Sequence, residues 1–198
     1  MVAPKFFVVA RVVGRDGALP LWKERLVHLC NASATETLGD SYYWGQDLDG
    51  EPDTLWGLEG YTHPAGFFLG HVSTDIFKRE MALVDSDRLL RNEQGLASRD
   101  YNLHHYDWAG GWLKRADDPD YASKSLNGAL QSFGILKEVR DEKMLTLWVR
   151  TPEEFDALKS SKKFQDLMSV AKAKSDKTEI HLSRAFNGHL DLNSSTIR

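Results

Sequence analysis

An α+β fold is predicted by three features of the sequence. A β-branched, aromatic run opens the chain, a strand–turn–strand pattern follows an amphipathic stretch, and a second helical stretch begins at a proline. Phe6 to Val13 is rich in Val and Phe and is bounded by Gly14 and Gly17, which reads as a strand. From Pro20 the period lengthens. Trp22, Leu26, Leu29 and Ser33 share one helical face, Lys23, Glu24 and Arg25 lie opposite, and Gly39 supplies a stop. Ser41 to Leu48 and Thr54 to Thr62 read as a hairpin around Asp49-Gly50-Glu51-Pro52-Asp53. Pro64 then opens a helical region through Phe67, His71, Phe77 and Met81, with Ser73-Thr74-Asp75 expected to break it in two. Arg99 to Trp108 alternates as a fourth strand. The order is βαββαβ.

The second half is sparser. Ser132 to Arg140 and Met144 to Arg150 read as a hairpin around Asp141-Glu142. Thr151-Pro152-Glu153-Glu154 has the composition of a helix start: a Thr cap, Pro at the first position and Glu at the third. The predicted helix runs to about Lys174, and Thr178 to Phe186 closes with a strand. Laying "LWGLEGYTHPAGFFLGHVSTDIF" on "MLTLWVRTPEEFDALKSSKKF" matches Pro64 with Pro152, Phe67 with Phe155, His71 with Lys159 and Ser73 with Ser161. An internal duplication is therefore expected. It divides the chain into a first unit (1–108), a linker (109–130), a partial second unit (131–186) and a tail (187–198).

Bulk composition narrows the function. The 198 residues suffice for one large domain or two small ones, and 41% hydrophobic with 27% charged residues is globular composition. A net charge of −4 with scattered Lys and Arg argues against a nucleic-acid binder. Cys30, the one cysteine, cannot form an internal disulfide and is expected to be a buried, inert thiol. The apolar run near the start is too short for a membrane span, is interrupted by Arg11 and lacks the basic start of a signal peptide. A soluble, cytoplasmic protein with no membrane partner is the expectation.

The residues Glu59, Tyr61, Pro64, Phe67, His71, Ser73 and Phe77 form a pattern of strand, short loop, helix and histidine. This pattern resembles the antibiotic biosynthesis monooxygenase (ABM) family of the dimeric α+β barrel superfamily. The resemblance extends over about Lys5 to Asp107, and more weakly over Ser132 to Phe186. It implies a ferredoxin-like fold in tandem with an incomplete second repeat, sheets paired into a barrel, helices outside and a ligand cavity on the sheet face. It also implies a homodimer or an intramolecular pseudo-dimer. Activities in the superfamily include cofactor-independent oxygenation of aromatic polyketides, haem degradation, isomerisation and cyclisation. "LTLW" before Arg150 is similar to haem-degrading members, but the helical region that carries their ligand reads Phe164-Gln165-Asp166-Leu167-Met168, without a histidine.

Alternation places Leu55, Gly57, Glu59 and Tyr61 on one strand face and Trp56 and Leu58 on the other. The apolar pair is expected to meet the helices, leaving Glu59 and Tyr61 on the cavity side. Glu59 is expected to pair with Arg11 in the same sheet, since a desolvated carboxylate needs a partner. His71 occupies a position where the family often has histidine and suits proton transfer near neutral pH. Its alternative role is to buttress the helix–strand junction. His63 is expected at the barrel mouth. His104 and His105 are strand neighbours on opposite faces and cannot chelate one ion, and no zinc spacing occurs, so no metal is expected. His105 shares a face with Tyr101 and Asp107.

Trp148 and Arg150 are expected as pocket residues, with His181 and Ser183 joining them. No GxGxxG, Walker or GxSxG loop is present. The expectation is an enzyme of secondary metabolism, acting without cofactor on a small aromatic substrate with dioxygen. His71 would be its base, His63 or His105 would assist, Tyr61, Trp148, Trp44 or Trp108 would hold the ring, and Arg11 or Arg150 would stabilise the anion. Two alternatives are a non-oxidative isomerase, cyclase or dehydratase on the same base, and a non-catalytic ligand-binding barrel.

Overall fold

The computed structural model describes residues 5–112, 132–141, 145–150 and 159–190. Its elements are β1 (Phe6–Val13), α1 (Leu19–Ser33), β2 (Gly39–Asp47), β3 (Thr54–Tyr61), a π-helical turn (Gly66–Gly70), a 3-10 turn (His71–Ser73), α2 (Asp75–Ser86), β4 (Tyr101–Trp112), β5 (Ser132–Glu138), β6 (Leu145–Arg150), α3 (Lys162–Lys174) and β7 (Ser183–His189). The strands form one seven-stranded sheet in the order β6-β5-β4-β1-β3-β2-β7. Every neighbouring pair is antiparallel. The chain is thus a mixed α+β fold on an antiparallel sheet.

β1 lies among the central strands and is buried on both faces, which is why Phe6–Val13 is a nearly continuous apolar run. The helices cover one face. Trp22, Leu26 and Leu29 of α1 and Phe77, Met81 and Val84 of α2 pack on Ala10, Val12, Tyr42, Trp44 and Leu55. Each such side chain contributes about 1.5–3 kcal/mol on burial. The opposite face has its own apolar cluster of Phe7, Leu58, Tyr106, Leu136 and Leu190.

This corrects the expected orientation of β3. Leu55, Glu59 and Tyr61 face the helices, whereas Leu58 joins the opposite cluster and Trp56 lies under the Arg11 guanidinium at 5.8 Å. The reason is the neighbouring strand. A Cβ at Gly57 would stand 2.6 Å from the Trp44 indole, so the glycine leaves room for a large neighbour and not for a ligand. Register also separates the expected pair: Val8 lies opposite Glu59, and Arg11 opposite Trp56. Arg11 and Glu59 therefore point to different faces and do not pair.

Helix ends follow the local chemistry. Ala18 cannot cap α1, and the Asp53 carboxylate from the β2–β3 turn accepts from the amides of Gly17 (3.0 Å) and Leu19 (3.1 Å) instead. The Ser73-Thr74-Asp75 break is present, with Thr74 as the N-cap of α2. Its Oγ1 accepts from Phe77 N at 3.2 Å and donates to His71 O at 2.8 Å. Thr74→Ala is expected to cost about 1 kcal/mol, lowering Tm by about 2–4 °C in a thermal melt. The same device starts α3, where Ser161 Oγ accepts from Phe164 N. The expected cap at Thr151 lies outside the described residues.

β7 begins later than expected, at Ser183, and runs through Asn187–His189 into what read as tail, because it borrows its order from the β2 edge. No helix among the described residues is long and apolar enough to cross a membrane.

Candidate functional site

The helix-covered face carries buried polar groups, His71 and Glu59 among them. His71 follows the π-helical turn and is wholly buried, at 0% exposure. Its backbone N–H donates to both Gly66 O and Phe67 O, so the wider turn fixes where the ring enters the core. The Nδ1 atom lies 2.8 Å from Glu36 Oε1, in the segment between α1 and β2. The Nε2 atom is buried without a hydrogen-bond partner among the described residues. Aromatic rings enclose it: Phe77 at 5.2 Å, Tyr42 at 5.4 Å and Tyr61 at 6.3 Å.

Glu59 completes this group from β3. The i, i+2 spacing puts it beside Tyr61, whose hydroxyl donates to Glu59 Oε2 at 2.9 Å. Burial pushes the Glu59 carboxyl up, countered in part by His71 and by the Tyr61 hydrogen bond. Burial alone would pull His71 down, but the Glu36 hydrogen bond and the charges of Glu59 and Glu36 outweigh it and hold His71 above the ordinary histidine value. Burial raises Tyr42 and Tyr61 well above the usual phenol range, so both remain protonated donors. The arrangement is a carboxylate-oriented imidazole with a buried free nitrogen, which is equipped to take and return a proton.

His105 lies on the same face, opposite Val8 in register. It stacks on Phe6 at 5.7 Å and borders two cavities. One, of about 390 Å³, is lined by Asn102, Leu103, His104, Glu138 and Arg140; the other, of about 220 Å³, is lined by Phe6, Pro64, Phe68, Asp107 and Arg140. Burial, then the Arg140 charge, lower the His105 pKa, so the ring is neutral at neutral pH. Glu138 braces the first cavity, accepting from the amides of Arg140 and Asp141.

Over 96% of its length the chain shares its fold with two solved structures. One, named "putative monooxygenase", is from Fusobacterium nucleatum, with TM-score 0.75 and 11% identity over 96% of both chains. The other, of the same name, is from Lactobacillus acidophilus, with TM-score 0.70 and 8% identity over 96% of this chain and 97% of that one. At such identities the likeness is one of fold. Family models and curated protein sequences give no match to this chain.

The fold thus joins His71, Glu59 and Tyr61, and sets His105 behind Phe67 on the same face. His63 is exposed in the loop before Pro64, its Nδ1 accepting from Ala65 N at 3.0 Å. Arg11 is on the other face, as is His181, which stacks on Trp56 at 4.3 Å. Trp44 lies in the helix-side core, and Trp108 packs on Phe7 across the sheet. Trp148 and Arg150 belong to β6 at the far edge, with side chains outside the described residues. Asp47, Asp49 and His181 are the single group of metal-ligand type among the described residues, and the Asp47 oxygens already accept from Asp49 N, Glu51 N and Trp56 Nε1.

Sequence reasoning missed Glu36, which precedes His71 by 35 residues in an irregular segment and has no local signal. Arg140, which lines both cavities, marks only the end of a strand in the sequence pattern.

Proposed function

We propose that this chain is a monooxygenase-like enzyme that works without a bound cofactor on an aromatic, polyketide-type small molecule, with His71 as its proton-transfer group. The observation that carries the reading is the Glu36–His71 pair, a buried imidazole held by a carboxylate at one nitrogen and open at the other. The β4-β1-β3-β2 core, with α1 and α2 on one face, supports a ferredoxin-like first unit. The β5–β6 hairpin and β7, added at the two edges of that core with α3 between them in sequence, support a partial second unit, acting as a pseudo-dimer within the chain or as a homodimer.

His71 removes a proton from a phenol or an activated C–H. The electron-rich anion passes one electron to dioxygen, and the radical pair recombines to a hydroperoxide. Return of the proton and loss of water leave a quinone. One substrate and one dioxygen give one quinone and one water. Tyr61 and Glu59 keep a protonated donor beside the developing anion, where a low dielectric strengthens the interaction.

The test is turnover of an anthrone-like hydroxyaromatic in air and under argon, followed by absorbance and product mass. The expected result is product gaining one oxygen atom and losing two hydrogens, in air only. Turnover that persists under argon replaces this reading with a non-oxidative isomerase, cyclase or dehydratase on the same base. Binding without turnover in either gas leaves a ligand-binding barrel.

A further inference from the structure

His71 poses an access problem. A proton acceptor with no exposed surface cannot meet a substrate in the conformation described. The open volume associated with this face lies at His105, in the cavity of about 220 Å³ lined by Phe6, Pro64 and Phe68. Between the two stands a continuous run of rings. His71 is 6.3 Å from Tyr61, Tyr61 is 5.8 Å from Phe67, and Phe67 is 5.6 Å from His105, centroid to centroid. Phe67 also meets Phe6 at 6.4 Å and Phe68 edge-on at 5.1 Å. It is the one member of this run carried by neither a strand nor His71 itself.

The segment holding Phe67 differs from its surroundings. It is a five-residue π-turn with glycine at each end, Gly66 and Gly70. Of its next two side chains, Leu69 is 76% exposed, and Phe68 is 47% exposed while its ring meets Phe6 at 5.7 Å and His105 at 5.2 Å. The chain is anchored on either side of it, by Thr62 N donating to Leu38 O and by the Thr74 cap of α2. Gly66 fits closely against its neighbours, since a Cβ there would stand 2.9 Å from both Leu38 and Tyr61. A Cβ at Gly70 would meet only Ala65 O, at 3.6 Å, so that end of the turn is the looser one. A short turn with a largely exposed outer surface and a glycine at its freer end can open without unfolding the helix that follows it, at the cost of the two bonds from His71 N–H to Gly66 O and Phe67 O.

We infer that Phe67, carried on the Gly66–Gly70 turn, is the gate between the His105 cavity and His71, and that its ring selects what reaches the base. The functional meaning of the gate rests on the reading of His71 as the proton-transfer group. Its physical existence does not. When the turn swings outward, Phe67 leaves its place between Tyr61 and His105, and the cavity extends to the free Nε2 of His71. A flat ring can replace the phenyl group and stack between the same neighbours, whereas a bulky saturated group cannot. The bound ring, in the phenyl group's place, then keeps water from His71 and preserves the dry environment in which its proton chemistry is strongest.

The test needs no substrate. The full chain is treated with diethyl pyrocarbonate at about pH 8, where imidazoles are largely neutral, and modification of each histidine is followed by peptide mass spectrometry. In the unaltered protein His71 is expected to react at least about tenfold more slowly than exposed His63, because reaction requires opening. Phe67→Ala is expected to speed His71 about fivefold or more, with His63 and His181 unchanged. Phe67→Leu, which keeps most of the apolar volume, provides a milder variant with a smaller rise in the same direction. Leu26→Ala, a core truncation in α1 away from the gate, controls for general loosening. The gate is refuted if His71 already reacts as fast as His63, if both Phe67 variants leave its rate unchanged, or if Leu26→Ala speeds it equally. Turnover that survives loss of His71 would instead refute the catalytic reading and leave these modification rates as they are.

Discussion

His71→Asn is expected to lower turnover of an anthrone-like substrate by about 10²–10⁴-fold, the range that a positioned general base contributes. Asparagine keeps a donor for the Glu36 carboxylate near the Nδ1 position, with a somewhat smaller side chain beside Phe77 and Tyr42. It offers no basic nitrogen. The effect is large because no other histidine can substitute. Phe67 and Tyr61 stand between His71 and His105, and His63 lies outside in the loop before Pro64. Substrate affinity, measured by fluorescence quenching of the buried tryptophans, should stay within about threefold, because the imidazole mainly stabilises the transition state. Thermal melts and circular dichroism establish that the variant is folded. A loss of less than about tenfold sinks His71 as the base. If His105→Asn then gave the large loss, the chemistry would belong to the open cavity.

Much of the fold from β1 to α2 was legible from local signals. β1 spans the residues its β-branched run marks out. The four positions assigned to the apolar face of α1 are all buried, as is Cys30. The break before α2 follows from Thr74 and its capping bond, a device contained within four residues. Legibility ends where a decision depends on a different strand. Alternation divides Thr54–Tyr61 into two faces but does not say which one the helices cover. Trp56 and Leu58 made the wrong face look like core. Gly57 belongs to Trp44 on β2, and Trp56 belongs to Arg11 and His181. The place of His71 is set by its own turn, whereas its partner Glu36 comes from an irregular segment that no period marks.

Glu36→Gln tests that partnership. Desolvation lowers the His71 pKa, and the Glu36 hydrogen bond, with the Glu59 and Glu36 charges, raises it by more. The acid limb of kcat/KM should therefore inflect above the usual histidine value of about 6.5. Glutamine removes one of the two charges and replaces a charge-assisted hydrogen bond with a neutral one, so the inflection should move to lower pH. Glu59 limits the movement. A bond of this kind is worth about 1.5–3 kcal/mol, so turnover on the plateau should fall about ten- to hundredfold if the bond strengthens as His71 takes up its proton. The stability effect has a definite sign. A histidine whose folded pKa is raised contributes fully below its unfolded value and loses that contribution as pH rises through the folded one. Wild type should thus exceed Glu36→Gln in stability most at about pH 5–6.5, with the gap narrowing above that range. Titration of the His71 ring by NMR, urea melts across pH and the pH–rate profile read the same proton independently. A His71 pKa unchanged by Glu36→Gln would reduce Glu36 to a packing neighbour, and His71 would then have no oriented tautomer with which to act as a base.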